Sequence, residues 1–259
     1  MRKGIIAAAG MAIVLASLGL ADIISKNVGG YYTVKLNKGS WSMIGINWNA
    51  GDGQGIPLQD LFKSEDLYPG DGEWDLDHCD QIVYWDNDMQ GYVSFSFVRT
   101  NETEAPVWVD AEFELATQKL MPGDAIWFYR PSQNGTLNAK IPGLVDARDG
   151  ITFTFQQGYS MFASGFPKDR KVGELIAGYP GEGEWDLENC DIMVLWDNEA
   201  QGWVNYYYCD IGNGPEWLDE GFSPVNINQM LKVGQGGWYF RQEATPLVFD
   251  EPNPVNYVN

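Results

Sequence analysis

The sequence predicts a mainly β fold: two tandem, homologous domains of β-sandwich or barrel type with short helices, after an N-terminal signal peptide. Three observations lead to this prediction. Short runs of aromatic and β-branched residues alternate with clusters of Gly, Pro, Asn and Asp, which is typical of strands joined by turns. A passage of twenty residues occurs twice. The chain also opens with an apolar segment of signal-peptide length.

The N-terminal segment predicts export. Residues 1–3 are positively charged, and the apolar run GIIAAAGMAIVLASLGL follows them. Gly19 and Ala21 put small residues three and one positions before a cleavage point that precedes Asp22. We therefore expect residues 1–21 to be removed and the protein to be secreted or held at the cell surface.

An alternative interpretation of this segment is a pilin-type leader that is cut near Gly4. The apolar helix would then remain as the stalk of a filament subunit, although Ala9 stands where such leaders usually carry Glu. No other part of the sequence is apolar enough to cross a bilayer, so we expect no membrane span after processing. Residues 22–30 form an N-terminal segment and residues 251–259 a C-terminal tail.

The repeated passage indicates duplicated domains. GEWDLDHCDQIVYWDNDMQG begins at residue 72, and GEWDLENCDIMVLWDNEAQG, which begins at residue 183, is identical to it at 13 of 20 positions. The same spacing relates LMPGDAIWFYR to LKVGQGGWYFR. Repetition over this length means duplicated domains, because the units of a solenoid are shorter. The predicted divisions are copy one at residues 31–145, a linker at 146–150 and copy two at 151–250.

Short strands fill most of each copy. The strand candidates include YYTVKL, WSMIGINW, QIVYW, YVSFSFV and AIWFY. Helix signals are brief: IPLQDLF and KVGELIA each suit about two turns, and VNINQML suits one. Many short strands with turn residues between them predict sandwiches or barrels.

Within each copy the repeated passage predicts a β-hairpin. If Trp196 faces Trp203 across the turn, pairing outward brings Cys190 opposite Cys209. Opposed residues lie close enough for a disulfide, and export supplies the oxidising surroundings. We therefore predict a Cys190–Cys209 disulfide, with a Cys79–Cys190 bridge as the competing pairing. Copy one has a valine opposite Cys79, which leaves that thiol either buried and free or available to another chain.

The hairpin register also sorts the side chains onto two faces. One face of the first hairpin predicts core residues: Ile82, Tyr84, Val93, Phe95 and Phe97. The other face carries an aromatic pair beside the turn, Trp85–Tyr92 in copy one and Trp196–Trp203 in copy two. Such a pair either stabilises the hairpin alone or offers a surface on which sugar rings or side chains of a partner stack.

A ladder of carboxylates precedes the first hairpin. Asp71, Glu73, Asp75 and Asp77 alternate along YPGDGEWDLD, and acidic residues lie at similar places in copy two. Oxygen ligands crowded in one loop could hold Ca²⁺, which takes six to eight of them. The spacing is not that of an EF-hand loop, and the alternative interpretation is a set of solvated loop charges. Calcium is the one cofactor that the sequence suggests.

Charge and motif content argue against nucleic acid and against catalysis. The net charge is −20 and the Lys and Arg residues form no run, so we expect no nucleic-acid partner. The single histidine, His78, is replaced by Asn189 in copy two. A Ser-His or Cys-His unit would need it, and the sequence has no CxxC, GxGxxG or GxxxxGK motif. We therefore predict no enzymatic activity.

The motifs GSWSMIGINW, IVYWDN and LMPGDAIWFYR follow one another in copy one. This order resembles a loosely defined group of secreted bacterial tandem β-repeat proteins, in which a W-x-L-I-[SG] strand, a V-Y-x-[WF]-[DN]-G hairpin and an L-x-P-G-x-G-[FY]-W strand recur. The resemblance implies fold and export, and it carries over no active-site residue.

The sequence thus favours an exported, non-enzymatic structural or interaction protein of the cell surface or of an extracellular assembly. Its partner would be a second copy of itself or a surface glycan. One alternative is a carbohydrate-binding module that uses the aromatic hairpin face. Another is a pilin-like filament subunit, if the N-terminal helix is retained.

Overall fold

The computed structural model describes residues 29–50, 53–72, 74–100, 105–146, 148–176, 178–183, 186–225 and 228–254. The predicted signal peptide and the alternative pilin leader lie outside these residues, as does Glu73. The described residues form a mainly β structure, which confirms the predicted fold class. None of the helices among them is long and apolar enough to span a membrane.

Two of the three predicted helices are present only as single 3₁₀ turns. The third, VNINQML, lies partly outside the described residues and ends in the two-residue strand Met230–Leu231. IPLQDLF contains a two-residue strand and the turn Leu58–Asp60, and KVGELIA contains the turn Val172–Glu174. The other turns are Ser64–Asp66, Leu76–His78 and Leu187–Asn189. In each run a two-residue strand, Ile56–Pro57 or Arg170–Lys171, takes up the first residues, and the helical hydrogen bonding that follows stops after one 3₁₀ turn.

The first copy is built on a five-stranded antiparallel sheet. In chain order its segment contains β1 (Gly29–Leu36), β2 (Ser40–Gly45), β3 (Ile56–Pro57), β4 (Gln81–Asp86), β5 (Gly91–Val98), β6 (Val107–Val109), β7 (Lys119–Leu120), β8 (Ala125–Arg130) and β9 (Leu137–Leu144). The sheet has the order β2-β8-β4-β5-β6, and two-stranded ribbons form from β1 with β9 and from β3 with β7.

The second copy has the same arrangement. Its strands are β10 (Gly150–Phe155), β11 (Gly158–Ala163), β12 (Arg170–Lys171), β13 (Ile192–Asp197), β14 (Gly202–Asp210), β15 (Pro215–Leu218), β16 (Met230–Leu231), β17 (Gly236–Arg241) and β18 (Leu247–Pro252). The sheet has the order β11-β17-β13-β14-β15, and the ribbons are β10 with β18 and β12 with β16. Strand for strand, the two sheets correspond.

Each long ribbon covers one face of its sheet, which gives a sandwich. Val34 and Leu36 of β1 and Ile141 of β9 belong to one buried cluster with Ile82 of β4 and Phe128 of β8. The predicted core face of the first hairpin agrees with this packing. Ile82, Phe95 and Phe97 are buried, and Tyr84 and Val93 pack against the same cluster. Alternate residues of each strand therefore point into the core.

The hairpin register is confirmed in both copies. Trp85 pairs with Tyr92, and Trp196 with Trp203. The second ladder continues outward and ends at Ile192 opposite Tyr207. The Asp residue that begins each turn holds it closed: Asp197 Oδ1 accepts hydrogen bonds from the N–H groups of residues 199 and 200 at 2.8 and 2.9 Å.

The predicted disulfide is not formed. Cys190 and Cys209 are buried free thiols that pack in one cluster with Leu218. The register prediction nevertheless brings the right residues together, because the Cys190 and Cys209 thiols are in hydrogen-bonding contact. The Cys190 thiol also donates to the Leu187 carbonyl at 3.4 Å. Burial raises the pKa of Cys190 to about 12, so the thiol stays protonated. Cys79 is also buried and free, as one of the interpretations required.

A buried ion pair anchors each sheet to its preceding loop. Arg130 and Asp80 are 2.8 Å apart in the first copy, and Arg241 and Asp191 are 2.7 Å apart in the second. Both carboxylates are fully buried. Burial raises the pKa of Asp80 to about 6, although the ion pair with Arg130 acts in the opposite direction. Sequence reasoning missed both pairs, although the repeat offset relates them.

The two copies are packed closely against each other. The N–H of Gly45 at the end of β2 donates to the carbonyl of Gly234 at 2.9 Å, and Ala163 at the end of β11 donates to Gly123 at 2.7 Å. A Cβ atom on Gly45 would lie 2.3 Å from the Gln235 carbonyl oxygen, so only glycine permits this approach. The edge strand of each copy is thereby bonded to a loop of the other.

Candidate functional site

The tip of each hairpin contacts the opposite copy. Asn198 in the second turn accepts a hydrogen bond from the Met43 N–H at 2.9 Å and donates to the Met43 carbonyl at 2.8 Å. In the other direction, Trp85 and Gln90 both donate to the carbonyl of Tyr159, at 3.2 and 3.0 Å. These contacts place the non-core face of each hairpin against the first strand of the other sheet.

Two aromatic clefts lie where the copies meet. The first cleft, about 390 Å³, is lined by Trp41, Val83, Tyr92, Trp127, Trp196 and Trp203. The second cleft, about 500 Å³, is lined by Trp85, Tyr92, Tyr159, Val194, Trp203, Asn205 and Trp238. Volumes of this size are typical of ligand sites. Each cleft combines the sheet of one copy with the hairpin of the other.

The repeat relates the two clefts to each other. Trp127 and Trp196 of the first cleft correspond in the sequence to Trp238 and Trp85 of the second. Tyr92 and Trp203 correspond to each other, and each of them lines both clefts. The clefts are therefore neighbours with equivalent walls.

The ring geometry is reproduced in both clefts. Trp196 lies 4.8 Å from Trp203 at 70° and 5.1 Å from Trp127 at 72°. Trp85 lies 4.8 Å from Tyr92 at 75° and 5.2 Å from Trp238 at 78°. Edge-to-face packing holds each ring in a fixed orientation, because the edge of one ring meets the electron-rich face of the next.

The aromatic side chains differ in their access to solvent. Tyr92 is 60% exposed and Trp203 42%, whereas Trp238 is 8% exposed. Trp85 and Trp196 are half-buried and pack between the copies. The predicted contact surface of Trp85, Tyr92, Trp196 and Trp203 is thus brought into one region, where one member of each pair supports the fold and the other faces solvent.

The two clefts differ in one polar feature. Asn205 in the second cleft donates from Nδ2 to Glu220 Oε1 at 2.8 Å, and its N–H lies 3.2 Å from the same oxygen. At the equivalent places in copy one the sequence has Ser94 and Ala111. The second cleft therefore has a fixed amide and a carboxylate at its edge, and the first cleft lacks both.

The sequence prediction missed half of the aromatic residues that line the two clefts. Trp41, Trp127, Tyr159 and Trp238 come from strands other than the hairpin strands, and none of them is among the predicted contact residues. Period-two alternation in AIWFYR was an available signal, because Trp127 has the opposite parity to the buried Ile126 and Phe128. The sequence does not show that the two copies meet at this face.

The predicted calcium ligands are engaged in local contacts. Asp71 Oδ1 lies 3.2 Å from the Arg99 guanidinium, and Asp75 accepts hydrogen bonds from the Asp71 N–H and from His78. The bond to His78 holds the pKa of Asp75 below its usual value. Among the residues that the structure describes, no three Asp, Glu, His or Cys side chains form a group suited to a metal ion. With Glu73 outside those residues, the calcium site, Asp77 included, stays a prediction.

His78 lies on the surface, away from the clefts. It pairs with Asp75 in the 3₁₀ turn before β4, and this contact raises its pKa. No His, Cys, Asp or Glu side chain is among the described residues that line either cleft. The walls can stack and hydrogen-bond a ligand, and they offer it no acid–base pair.

Comparisons with known proteins add no identification. No protein-family model matches this chain. No curated protein and no solved structure matches it significantly either.

Proposed function

We propose that the chain is an exported, non-enzymatic interaction protein whose aromatic clefts bind carbohydrate. The observation that carries this proposal is the pair of equivalent clefts walled by tryptophan and tyrosine between the two copies. Export is supported by the signal-peptide pattern of residues 1–21, which also favours a glycan of the cell surface or the extracellular space as the partner.

The walls suit a sugar ring better than a purely apolar ligand. The face of a pyranose carries C–H groups that pack on an indole, and its rim carries hydroxyl groups that need polar partners. The exposed rings of Tyr92 and Trp203 supply the stacking surface. The hairpin ladders and interlocked rings fix these surfaces before any ligand arrives, so little ordering entropy opposes binding.

A non-catalytic role is supported by where the ionisable groups lie. Four described acidic residues are buried, each is ion-paired within the fold, and none of them lines a cleft: Asp80, Asp146, Asp191 and Glu251. The lone histidine is exposed and paired with Asp75. A glycosidase needs two carboxylates on opposite sides of the scissile bond. Glu220 accepts a hydrogen bond from Asn205 at the edge of the second cleft, and the described residues that line this cleft provide no second carboxylate opposite it.

Glycan-array binding followed by titration tests the proposal. Trp203→Ala removes a ring from both clefts, and we expect it to lower the affinity for any bound glycan at least tenfold. Trp74→Ala is the matched control, because Trp74 is 85% exposed and lines neither cleft. Equal loss in both variants, or no glycan bound by the wild-type protein, would contradict the proposal.

Self-association is the second candidate function. The ribbon of β1 with β9 belongs to no larger sheet, and the other edge of β9 is bridged only at Leu144, by Asn49, among the described residues. Tyr31 on this ribbon is 60% exposed, and such edges accept a further strand. A protein that sediments as a monomer at every concentration tested would exclude this function. A filament role further requires cleavage near Gly4 and retention of the apolar helix that follows it, which N-terminal sequencing of the exported protein decides.

A further inference from the structure

The equivalence of the clefts makes their one polar difference informative. The aromatic walls correspond ring for ring, yet Asn205 and Glu220 stand where copy one has Ser94 and Ala111. The two sites then have stacking residues of the same types except for Trp41 in the first and Tyr159 in the second, and the second has in addition the amide and the carboxylate. An amide and a carboxylate beside stacked rings are the groups that a saccharide hydroxyl rim needs.

We propose that the second cleft is the principal site and that Asn205 and Glu220 make it specific for an uncharged saccharide. This inference rests on the proposed carbohydrate-binding function and adds to it the class of ligand and the residues that select it. Glu220 holds the Asn205 amide in one orientation through its 2.8 Å bond, and the two groups accept hydrogen bonds from sugar hydroxyls. Ser94 and Ala111 leave the first cleft without this amide and carboxylate pair.

Charge determines the class of saccharide. The charged side chain at the edge of the second cleft is that of Glu220, which is hydrogen-bonded to Asn205, and the chain as a whole carries a net charge of −20. Uronic-acid, sulfated or phosphorylated chains would meet like charge there, and the described residues that line the cleft include no Lys or Arg to pair with them. A neutral hydroxyl instead donates to the carboxylate in a charge-assisted hydrogen bond.

The two clefts can be tested separately because some wall residues belong to one cleft alone. Tyr159 lines only the second cleft, and Trp41, its counterpart in copy one, lines only the first. The probes are cellohexaose, mannohexaose and N-acetylchitohexaose, with an oligogalacturonate of matched length as the anionic comparison. Quenching of tryptophan fluorescence during titration reports on both clefts, since each contains several indoles.

We expect Asn205→Ser with Glu220→Ala to lower the affinity for the neutral probe at least tenfold, since hydrogen bonds to charged groups are the stronger kind. Tyr159→Ala should have a comparable effect, and Trp41→Ala less than a threefold effect. The reciprocal change, Ser94→Asn with Ala111→Glu, should strengthen binding at the first cleft and restore affinity to the Tyr159→Ala protein.

The outcomes separate this inference from the function on which it rests. If the wild-type protein binds a neutral probe and the Asn205→Ser, Glu220→Ala protein binds it equally well, the assignment of these residues is overturned and carbohydrate binding stands. A stronger loss in Trp41→Ala than in Tyr159→Ala, or tighter binding of the oligogalacturonate, also overturns the inference. If none of the probes binds, both proposals fail. Circular dichroism of each variant verifies that the fold is retained.

Discussion

Tyr239 offers a sharp test of how the second copy is held together. Its hydroxyl donates to Asp191 Oδ2 at 2.6 Å, in a place where both residues are fully buried. Arg241 donates to the same oxygen at 2.7 Å, and the N–H of Gln242 donates to Oδ1 at 2.8 Å. Tyr239→Phe removes one hydrogen bond to a buried carboxylate and leaves the other donors in place.

The expected loss in the free energy of unfolding is about 1.5–3 kcal/mol, the range for a hydrogen bond to a charged group. Copy one has Phe128 at the equivalent place and fills the space differently. There Leu67 stands where copy two has Gly178, whose absent side chain leaves room for the Tyr239 hydroxyl: a Cβ on Gly178 would lie 2.7 Å from it. The wild-type second copy thus depends on the hydroxyl, and Phe alone leaves a small void.

Urea unfolding followed by far-ultraviolet circular dichroism measures the change. Tyr206→Phe is the matched control, because its hydroxyl lies 3.4 Å from Gln229 in a much weaker contact, and we expect it to lose less than about 0.5 kcal/mol. If Tyr239→Phe lowers the free energy of unfolding no more than Tyr206→Phe does, the hydrogen bond from Tyr239 to Asp191 does not stabilise the second copy.

Three further predictions concern pH, the hairpin tip and the thiols. Burial raises the pKa of Asp124 to about 6. A raised carboxyl pKa means that the folded state holds its proton more tightly than the unfolded state. This group should therefore lower the free energy of unfolding by on the order of 2 kcal/mol as the pH rises from 4 to 7. Thermal melts of Asp124→Gln, which introduces the residue type found in copy two, should show a shallower decline in stability over this pH range. Asn198→Ala leaves the N–H and the carbonyl of Met43 without the Asn198 side chain and should lower the free energy of unfolding, measured in urea, by about 2 kcal/mol. The equivalent variant in copy one, Asn87→Ala, should have little effect, because Asn87 Oδ1 has no hydrogen-bond partner within the described part of the chain. Cys209→Val introduces the residue type that copy one has at Val98 and should change the melting temperature little. A large fall in the melting temperature would indicate that Cys209 forms a disulfide.

The sequence predicted those features that depend on neighbouring residues. Trp196 opposite Trp203 followed from alternation and turn length, and the ladder has this register. The same register predicted Cys190 beside Cys209, and the two thiols are in contact although they are not bonded as a disulfide. A residue pattern can bring two thiols together, but it does not determine whether they have the specific geometry that an S–S bond requires.

Features formed by contact between the copies were out of reach. The aromatic pairs were recognised as a possible contact surface, but Trp238 beside Trp85 and Trp127 beside Trp196 required knowing which faces meet. That packing depends on Gly45, whose missing side chain lets the copies approach. A single glycine among the 30 in this sequence gives no sign of such a role.

The exchange of hairpin tips between the copies has a consequence for how the two sites could diverge. One copy alone could present the same surfaces only as a symmetric dimer, in which every residue of one site is repeated in the other. Joining the copies in one chain removes that constraint, because each half now mutates on its own. Asn205 and Glu220 on one side, and Ser94 and Ala111 on the other, are a difference that no dimer of identical subunits could carry.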